Sequence, residues 1–230
     1  MIIPRHEEWG TLTYDTLRHR FSLIHANGKD AIPYSQQPVA LNIYLTMKCN
    51  MACMHCVTKD FEAKDLVISQ RLVNSINSSP FMVVVITGGE PLLPEYETRL
   101  IGLLREIRKK GLIIDTNGTI LPGRSVIKEI IDTNTLVRIS LDSPRPRDEI
   151  HYRHLKPPTK ENWDANLECY NTKKALIRRL RRAGVAVAIQ SVIHSKNLTT
   201  TADGRPASLA RMPDLLHKMS ITQWYIQRFI

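Results

Sequence analysis

Three of the four cysteines in the 230-residue chain lie within eight residues, in the segment CNMACMHC. Cys49, Cys53 and Cys56 are spaced at i, i+4 and i+7, whereas Cys169 lies far along the chain and is predicted to be a packed core residue. A helical stripe of buried small side chains is one explanation, because free cysteine packs well in cores. A structural zinc site completed by His55 is another, although such sites usually take their ligands from two separated pairs.

An iron–sulfur cluster explains the number of cysteines better. A 4Fe–4S cluster normally takes four thiolates. Three cysteines leave one iron without a protein ligand, and an open metal position is what a reactive metal site keeps. We therefore expect Cys49, Cys53 and Cys56 to be ligands of a reactive cluster that binds another molecule at its fourth iron.

The elements that must position these cysteines alternate between strands and helices after residue 38. The apolar run FMVVVI is typical of a parallel strand covered on both faces. Strands that alternate with helices imply right-handed βαβ units, so the sequence predicts an α/β fold, a partial (β/α)6 barrel of parallel strands. The predicted strands are 39–46, 81–91, 111–118, 136–143, 185–193 and 223–230. The predicted helices are 69–78 with Ser69 as N-cap, 95–110 with Gly111 as its stop, about 124–131, a long basic helix ending at Gly184, and about 207–218.

Unusual polar motifs follow each of the first five predicted strands. In a parallel sheet or barrel, functional groups belong at the carboxyl ends of the strands. The motifs are CNMACMHC after the first strand, TGGEP after the second, DTNGT after the third, SLDS after the fourth, and Gln190, Ser191 and His194 toward the end of the fifth. We therefore expect them to meet at one end of the barrel.

The N-terminal segment has a different pattern. Residues 11–24 alternate apolar and polar side chains around a polar centre at Asp15 to His19, which predicts a β-hairpin. Residues 25–38 are rich in Gly, Pro, Asn and Gln and read as a loop. The sequence thus divides into an N-terminal hairpin extension and linker at 1–38 and a core domain at 39–230.

Composition restricts the class of protein. There is no signal peptide and no apolar run long enough to span a bilayer, so we expect a cytoplasmic protein. The formal charge is +10, and KKALIRRLRR at 173–182 carries much of the excess. Such a run is usually a solvated helix face. Nucleic acid, an acidic peptide or anionic lipid are alternatives, and the absence of interleaved aromatic residues weakens the nucleic-acid case.

The two strongest motifs resemble a known family. C-x3-C-x2-C after the first strand and GGEP at the end of the second resemble the signature of the radical S-adenosylmethionine (SAM) superfamily, and the resemblance covers roughly 39–230. It implies that Cys49, Cys53 and Cys56 hold a 4Fe–4S cluster and that SAM chelates the free iron. It also implies reductive cleavage of SAM to a 5′-deoxyadenosyl radical, which abstracts hydrogen from a substrate. The peptide-maturing and molybdenum-cofactor-synthesis branches are the most similar.

The resemblance also implies SAM contacts at the ends of the strands. Gly88 and Gly89 would let the backbone approach the methionyl group, since a Cβ would block it. Glu90 would accept a hydrogen bond from the SAM ammonium. Thr116 and Asn117 would contact SAM, although Asn-Gly is also a common turn dipeptide.

Further candidates lie on the fourth and fifth strands. Ser140 and Asp142 alternate inward, and the ribose hydroxyls of SAM are expected partners of a buried acid. Gln190 is a similar candidate. Arg153 matches an arginine that related enzymes place near the SAM carboxylate, with a surface salt bridge as the alternative.

The sequence leaves several questions open. The chain stops inside or just after the sixth strand, as a fragment, a truncated frame or a minimal member would. The leading hypothesis is a radical SAM enzyme with a ribosomal peptide or protein as substrate and a flavodoxin-type or ferredoxin-type reductant. RNA modification, a zinc-binding module and a barrel unable to turn over are the alternatives.

Overall fold

A three-stranded antiparallel sheet stands at the N-terminus of the computed structural model, which describes residues 1–7, 10–25, 37–59, 61–62, 65–198 and 207–228. Its strands are β1 (Ile2–Glu7), β2 (Gly10–Asp15) and β3 (Arg20–His25). The hairpin predicted over 11–24 corresponds to β2 and β3, and Asp15 closes its turn by accepting hydrogen bonds from the backbone N–H groups of Leu17 and Arg18. Strand β1 is an addition to that prediction. The loop predicted over 25–38 lies mostly outside the described residues, so the boundary near 38 stays a prediction.

A six-stranded parallel sheet follows, with its strands hydrogen-bonded in chain order, which confirms the α/β fold predicted from the sequence. The strands are β4 (Ala40–Thr46), β5 (Val83–Gly88), β6 (Gly111–Thr116), β7 (Leu136–Ser140), β8 (Val187–Ile193) and β9 (Trp224–Arg228). Strands β4 and β9 are the two edges of this sheet. The architecture is therefore a partial (β/α)6 barrel.

Helices connect the strands. They are α1 (Gln70–Ser78), α2 (Glu97–Glu106), α3 (Arg124–Asp132), α4 (Pro146–Tyr152), α5 (Trp163–Arg182), α6 (Ser195–Leu198) and α7 (Met212–Lys218). Short 3-10 turns at Pro94–Tyr96 and Leu209–Arg211 precede α2 and α7. Ser69 is the N-cap of α1, as predicted, because its hydroxyl accepts the N–H of Leu72. The sequence analysis did not predict α4 or α6.

The predicted helix over 95–110 ends earlier than its apolar spacing indicates. Ile107 takes an extended conformation and closes α2 after Glu106. Gly111 does not stop this helix but begins β6, and it has a packing role there. A Cβ on Gly111 would lie 2.0 Å from Cε1 of Tyr14, so the glycine makes room for a side chain of the N-terminal sheet.

Successive residues of each strand face opposite sides of the sheet, as the pleat requires. One set, which includes Ile86, Ile114 and Ile139, packs against the helices in the larger core. The other set faces the barrel interior. At the base of the barrel it packs with Leu12 and Tyr14 of β2 in a second core formed by Val83, Val85, Ile113, Leu136 and Ala188. The N-terminal sheet therefore contacts the base, where the parallel strands begin.

Candidate functional site

A cavity of about 460 Å³ lies at the opposite end of the barrel, where the parallel strands end. Cys49, Cys53 and Cys56 all line it. Among the other lining residues are Gly88, Gly89, Thr116, Asn117, Ser140, Arg153 and Gln190. The structure thus brings the three cysteines and seven of the nine predicted SAM contacts to one cavity. Glu90 and Asp142 lie behind its wall.

The C-terminal end of α4 and the residues just after it hold the cysteine loop in place. The backbone N–H of Ala52 donates to the carbonyl oxygen of His154 at 2.8 Å, and that of Met54 donates to the carbonyl oxygen of Tyr152 at 2.9 Å. These two bonds tie the loop to a segment about 100 residues later in the chain. The loop positions its cysteines through tertiary contacts and not as a helical stripe, because residues 47–59 contain no helix.

The donor set fits a cluster better than a single ion. Across the described residues, no group of three or more Cys, His, Asp and Glu side chains converges closely enough to hold one metal ion. A mononuclear zinc site needs such convergence. The thiolates of a 4Fe–4S cluster bind different irons and do not need it. Nε2 of His55 lies 3.5 Å from Oδ2 of Asp142, so the zinc alternative receives no support from this geometry.

Burial disfavours the thiolate form of two of the three cysteines, Cys49 and Cys53. Burial raises the pKa of the Cys49 thiol to about 11. Burial also raises the pKa of Cys53, against the opposing positive charges of Arg153 and Lys173. Coordination by a metal cation deprotonates a thiol outright. The two buried cations therefore favour the thiolate form that a cluster requires.

Gly88 and Gly89 allow the GGEP segment to pack on the start of the cysteine loop. Gly88 has a φ of +137°, which L residues rarely adopt, and a Cβ there would lie 2.0 Å from the carbonyl oxygen of Thr46. A Cβ on Gly89 would lie 1.9 Å from the carbonyl oxygen of Lys48. The backbone N–H groups of Gly89 and Glu90 donate to these same two oxygens. These contacts explain the two glycines by the packing of two loops, and the approach of SAM to their backbone stays a prediction.

Glu90 connects the second and third strand ends from behind the cavity. It is completely buried. Oε1 accepts hydrogen bonds from the N–H of Leu92 and the hydroxyl of Thr116, and Oε2 accepts one from the N–H of Asn117 at 2.7 Å. Burial raises the pKa of Glu90 to about 7, although these hydrogen bonds oppose the rise. Its observed partners are thus protein groups, and contact with the SAM ammonium stays a prediction.

Asn117 lies between two loops. Its side-chain amide donates to Oδ1 of Asn50 at 2.9 Å and approaches Sγ of Cys49 at 3.7 Å. Its Oδ1 accepts hydrogen bonds from the N–H and the hydroxyl of Thr119, which forms a turn. The turn that Asn-Gly signals is therefore present, and the same side chain also contacts the cysteine loop.

Asp142 and Arg153 form a buried ion pair beside the cavity. Nε and Nη2 of Arg153 donate to Oδ2 and Oδ1 of Asp142 at 2.7 and 3.3 Å. Oδ1 also accepts the N–H of Val192. Burial opposes ionisation of Asp142, but the guanidinium group outweighs this and holds the pKa of the carboxyl below its ordinary value. Arg153 is buried, so the alternative of a surface salt bridge is wrong and the ion pair is internal. Contacts of Asp142 and Arg153 with SAM stay predictions.

A second buried ion pair supports the SLDS segment. Nζ of Lys173 lies 2.5 Å from Oε1 of Glu149, and each side chain is 1% exposed. Oε2 of Glu149 accepts the backbone N–H groups of Asp142 and Ser143 at 2.7 and 3.0 Å. Lys173 belongs to the basic run that the sequence analysis assigned to a solvated helix face. It lies on the buried face of α5 together with Leu176, Ile177 and Leu180.

The sequence analysis also missed an ion pair inside the barrel. Nε and Nη2 of Arg138 donate to Oδ1 and Oδ2 of Asp115 at 2.6 and 2.7 Å. The guanidinium group lies over the ring of Tyr225, 4.9 Å from its centroid. Asp115 and Arg138 both line the cavity and are cross-strand partners in the register of β6 and β7. The alternation that assigned Ser140 to the interior also assigns Arg138, two residues earlier, to it.

Cys169 lies apart from the other three cysteines. It is on α5, is half-buried and does not line the cavity. Cys169 therefore lies outside the candidate site, and its half-buried position does not bear out the prediction of a packed core residue. In addition, none of the described helices is long and apolar enough to cross a membrane.

Comparison with known proteins identifies relatives of this arrangement. The family model described as the Radical SAM superfamily matches residues 43–196. GTP 3′,8-cyclase of Clostridium perfringens (strain SM101 / Type A) is 32% identical over 122 residues, which cover 48% of this chain and 36% of the cyclase. GTP 3′,8-cyclase of Synechocystis sp. is 24% identical over 169 residues, which cover 70% of this chain and 47% of the cyclase. The chain thus spans less than half the length of these relatives.

Solved structures share the fold over a larger part of the chain. Streptococcus suis SuiB bound to precursor peptide SuiA matches all of this chain and 62% of SuiB, with a TM-score of 0.68 and 14% identity. Native anSMEcpe with bound AdoMet and Kp18Cys peptide matches 84% of this chain and 52% of that protein, with a TM-score of 0.61 and 17% identity. The match to SuiB includes the region of the N-terminal sheet.

Proposed function

Because the chain belongs to the radical SAM superfamily, whose members are enzymes that use a 4Fe–4S cluster and SAM, we propose that it generates a 5′-deoxyadenosyl radical that abstracts hydrogen from a peptide substrate. One observation carries the proposal. Cys49, Cys53 and Cys56 line the same cavity as the backbone of Gly88 and Gly89 and the inward side chains of the parallel strands. Cluster ligands and cofactor contacts are therefore within reach of one another.

The chain's own residues bind and orient the cofactors. Cys49, Cys53 and Cys56 hold the cluster, and the chemistry that cluster and SAM supply when bound is reductive cleavage to a hydrogen-abstracting radical. Ser140 and Gln190 line the cavity on adjacent strands and present hydroxyl and amide groups to SAM. Arg153 presents a guanidinium group at the same wall, where a carboxylate finds a charge-assisted partner.

The interior of the barrel supplies the surroundings in which a radical can react selectively. Asp115 and Arg138 form the polar part of the cavity's inner wall, on the side that faces the second core. Their remaining lone pairs and N–H groups can accept and donate hydrogen bonds side by side, which suits the N–H and C=O groups of a peptide.

A peptide substrate has further support in the structural relatives. SuiB is described bound to a precursor peptide, and anSMEcpe is described with bound AdoMet and a peptide. The likeness to SuiB extends over the whole of this chain. A flavodoxin-type or ferredoxin-type protein is the proposed electron donor, because reductive cleavage needs one electron from outside the site.

A nucleotide substrate is the second candidate. It is favoured by the similarity to GTP 3′,8-cyclases, which reaches 32% identity over 122 residues. RNA modification, the alternative from the sequence, would require phosphate contacts and would show strongly salt-dependent binding. One lysine of the basic run on α5, Lys173, is buried in an ion pair with Glu149, so its charge is not available to an RNA-binding surface.

The cluster can be tested by metal analysis and EPR on anaerobically reconstituted protein, with Cys53→Ala compared with Cys169→Ala. We expect iron and a reduced-cluster signal that changes on addition of SAM, lost in the first variant and kept in the second. Loss in both variants, or a signal that SAM does not change, would contradict the proposed site. Zinc without iron would revive the structural alternative.

The substrate class can be tested through 5′-deoxyadenosine. Deuterium carried from a fully deuterated peptide mixture into 5′-deoxyadenosine would support hydrogen abstraction from a peptide. Deuterium carried only from deuterated GTP would favour the nucleotide candidate. 5′-Deoxyadenosine that stays unlabelled with both substrates would leave the cluster assignment intact and refute both substrates.

A further inference from the structure

A second and larger cavity, of about 830 Å³, lies at the base of the barrel, away from the cysteines. The first residues of four parallel strands line it, which places it where these strands begin. These residues are Ala40, Val83, Leu136 and Val187. The turn between β2 and β3 forms one wall, and the start of β9 forms another. Gln223, beside β9, donates a hydrogen bond to the carbonyl oxygen of Arg18 and joins these walls.

The charge of this second cavity is positive. Arg18, Arg20, Arg138 and Arg181 line it, and the described lining residues include no Asp or Glu. Arg138 is neutralised by Asp115, and Arg18 lies 3.4 Å from Asp15. Arg20 and Arg181 have no ion pair among the described residues. Both side chains are exposed, and their guanidinium groups, from β3 and α5, line one cavity without an ion pair among the described residues.

A buried histidine in the same wall supports a binding role. His19 is 3% exposed, lines the cavity and has a φ of +49°, a backbone conformation that L residues seldom adopt. Its Nδ1 lies 3.2 Å from the hydroxyl of Tyr14, whereas its buried Nε2 has no hydrogen-bond partner. Buried polar atoms normally have partners. A buried ring nitrogen without a partner, in a cavity that two arginines also line, supports a binding role for this cavity.

The lining also restricts the ligand. A phosphate monoester carries close to two negative charges and three acceptor oxygens, so it can satisfy Arg20 and Arg181 together, whereas one carboxylate has a single charge. The volume exceeds that of a phosphate group, and the rings of Phe21 and Trp224 line the same cavity. We propose that the base of the barrel binds a phosphate monoester that carries a flat ring, with Arg20 and Arg181 as its anion ligands. This site is independent of the proposed reaction at the cysteine end.

Isothermal titration of the reconstituted protein with uridine 5′-monophosphate tests the site, with uridine and inorganic phosphate as matched ligands. We expect one uridine monophosphate per chain, weaker binding of phosphate and none of uridine. S-adenosylhomocysteine, which suits the cofactor cavity, must not displace the nucleotide. Displacement by it, or the absence of binding by both phosphate compounds, would overturn the proposal.

A pair of charge-matched variants makes the test specific. Arg20→Gln with Arg181→Gln removes the two proposed anion ligands, and we expect the affinity to fall at least about tenfold. Arg178→Gln with Arg182→Gln removes two exposed arginines of α5 that do not line this cavity, and we expect a change below about twofold. Equal effects of the two variants would show general charge attraction and refute the site. Tighter binding of a glutamate-rich peptide at the same arginines would refute the phosphate assignment.

Discussion

The buried pair of Lys173 and Glu149 offers the sharpest test of how the site is held. Both side chains are 1% exposed, and Oε2 of Glu149 also accepts two backbone N–H groups of the SLDS segment. In Lys173→Met, the Glu149 carboxylate keeps these two hydrogen bonds but loses its cation. Removal of one partner from a buried ion pair costs about 3–5 kcal/mol, because the remaining charge is left uncompensated. For a chain of this size that corresponds to a fall in melting temperature of roughly 6–20 °C.

A double-mutant cycle isolates the interaction from the effects of the single substitutions. The free energies of unfolding of wild type, Lys173→Met, Glu149→Gln and the double variant are measured by urea denaturation. We expect the double variant to lose at least about 2 kcal/mol less than the two single losses together. The matched control is the exposed pair of Lys128 and Asp132 on α3, for which we expect coupling below about 1 kcal/mol.

The result that would refute this reasoning is equal coupling in the two pairs. It would mean that Glu149 is stabilised by its backbone hydrogen bonds alone and that Lys173 contributes as an aliphatic chain. A second readout is the iron content after reconstitution, which should fall in Lys173→Met. Glu149 positions the backbone of Asp142, and Asp142 in turn holds the side chain of Arg153 at the cavity.

Three further predictions concern single residues. Burial raises the pKa of Glu90 to about 7, above its value in the unfolded chain. The contribution of Glu90 to the free energy of unfolding is therefore full below about pH 4.5 and is lost as the pH rises to about 7, by roughly 3 kcal/mol. Glu90→Gln should lack this loss when the free energy of unfolding is measured against pH. Gly89→Ala should prevent stable cluster assembly, measured as iron content, because its Cβ would meet the carbonyl oxygen of Lys48. Gly102→Ala in α2 is the control: a Cβ there has no neighbouring atom within 4 Å, so this substitution should stabilise the protein by about 0.5–1 kcal/mol. Gly111→Ala should displace Tyr14 and speed proteolysis within the N-terminal sheet, and unchanged cleavage would refute the contact.

The order of the strands and the placement of the cysteines could be predicted because their signals are local. Long apolar runs mark strands covered on both faces, and turn residues mark their ends. Helix α4 is only seven residues long and begins with a proline, so it lacks an extended apolar period. Strand β1 contains Pro4 and charged side chains, and its pairing with β2 is the contact that defines it.

The roles of the polar residues were harder to predict because they depend on partners distant in sequence. Glu90 and Asp142 were predicted as SAM contacts, and nothing near them in the sequence identifies Asn117 or Arg153 as the partners that they have in the structure. Lys173 could have been found. It precedes Leu176, Ile177 and Leu180 by three, four and seven residues, which is the spacing of one buried helix face. The charge of the run concealed that periodicity.

The two hydrogen bonds that join the cysteine loop to the C-terminal end of α4 and the residues just after it have a consequence for assembly. Cys49, Cys53 and Cys56 leave the ribosome early, but the carbonyl groups of Tyr152 and His154 that fix their loop are synthesised about 100 residues later. Contacts of such long sequence separation form late in folding. These two hydrogen bonds cannot form until residues 152 to 154 have been synthesised, so they fix the cysteine loop only after β4 to β7 and α4 have been made.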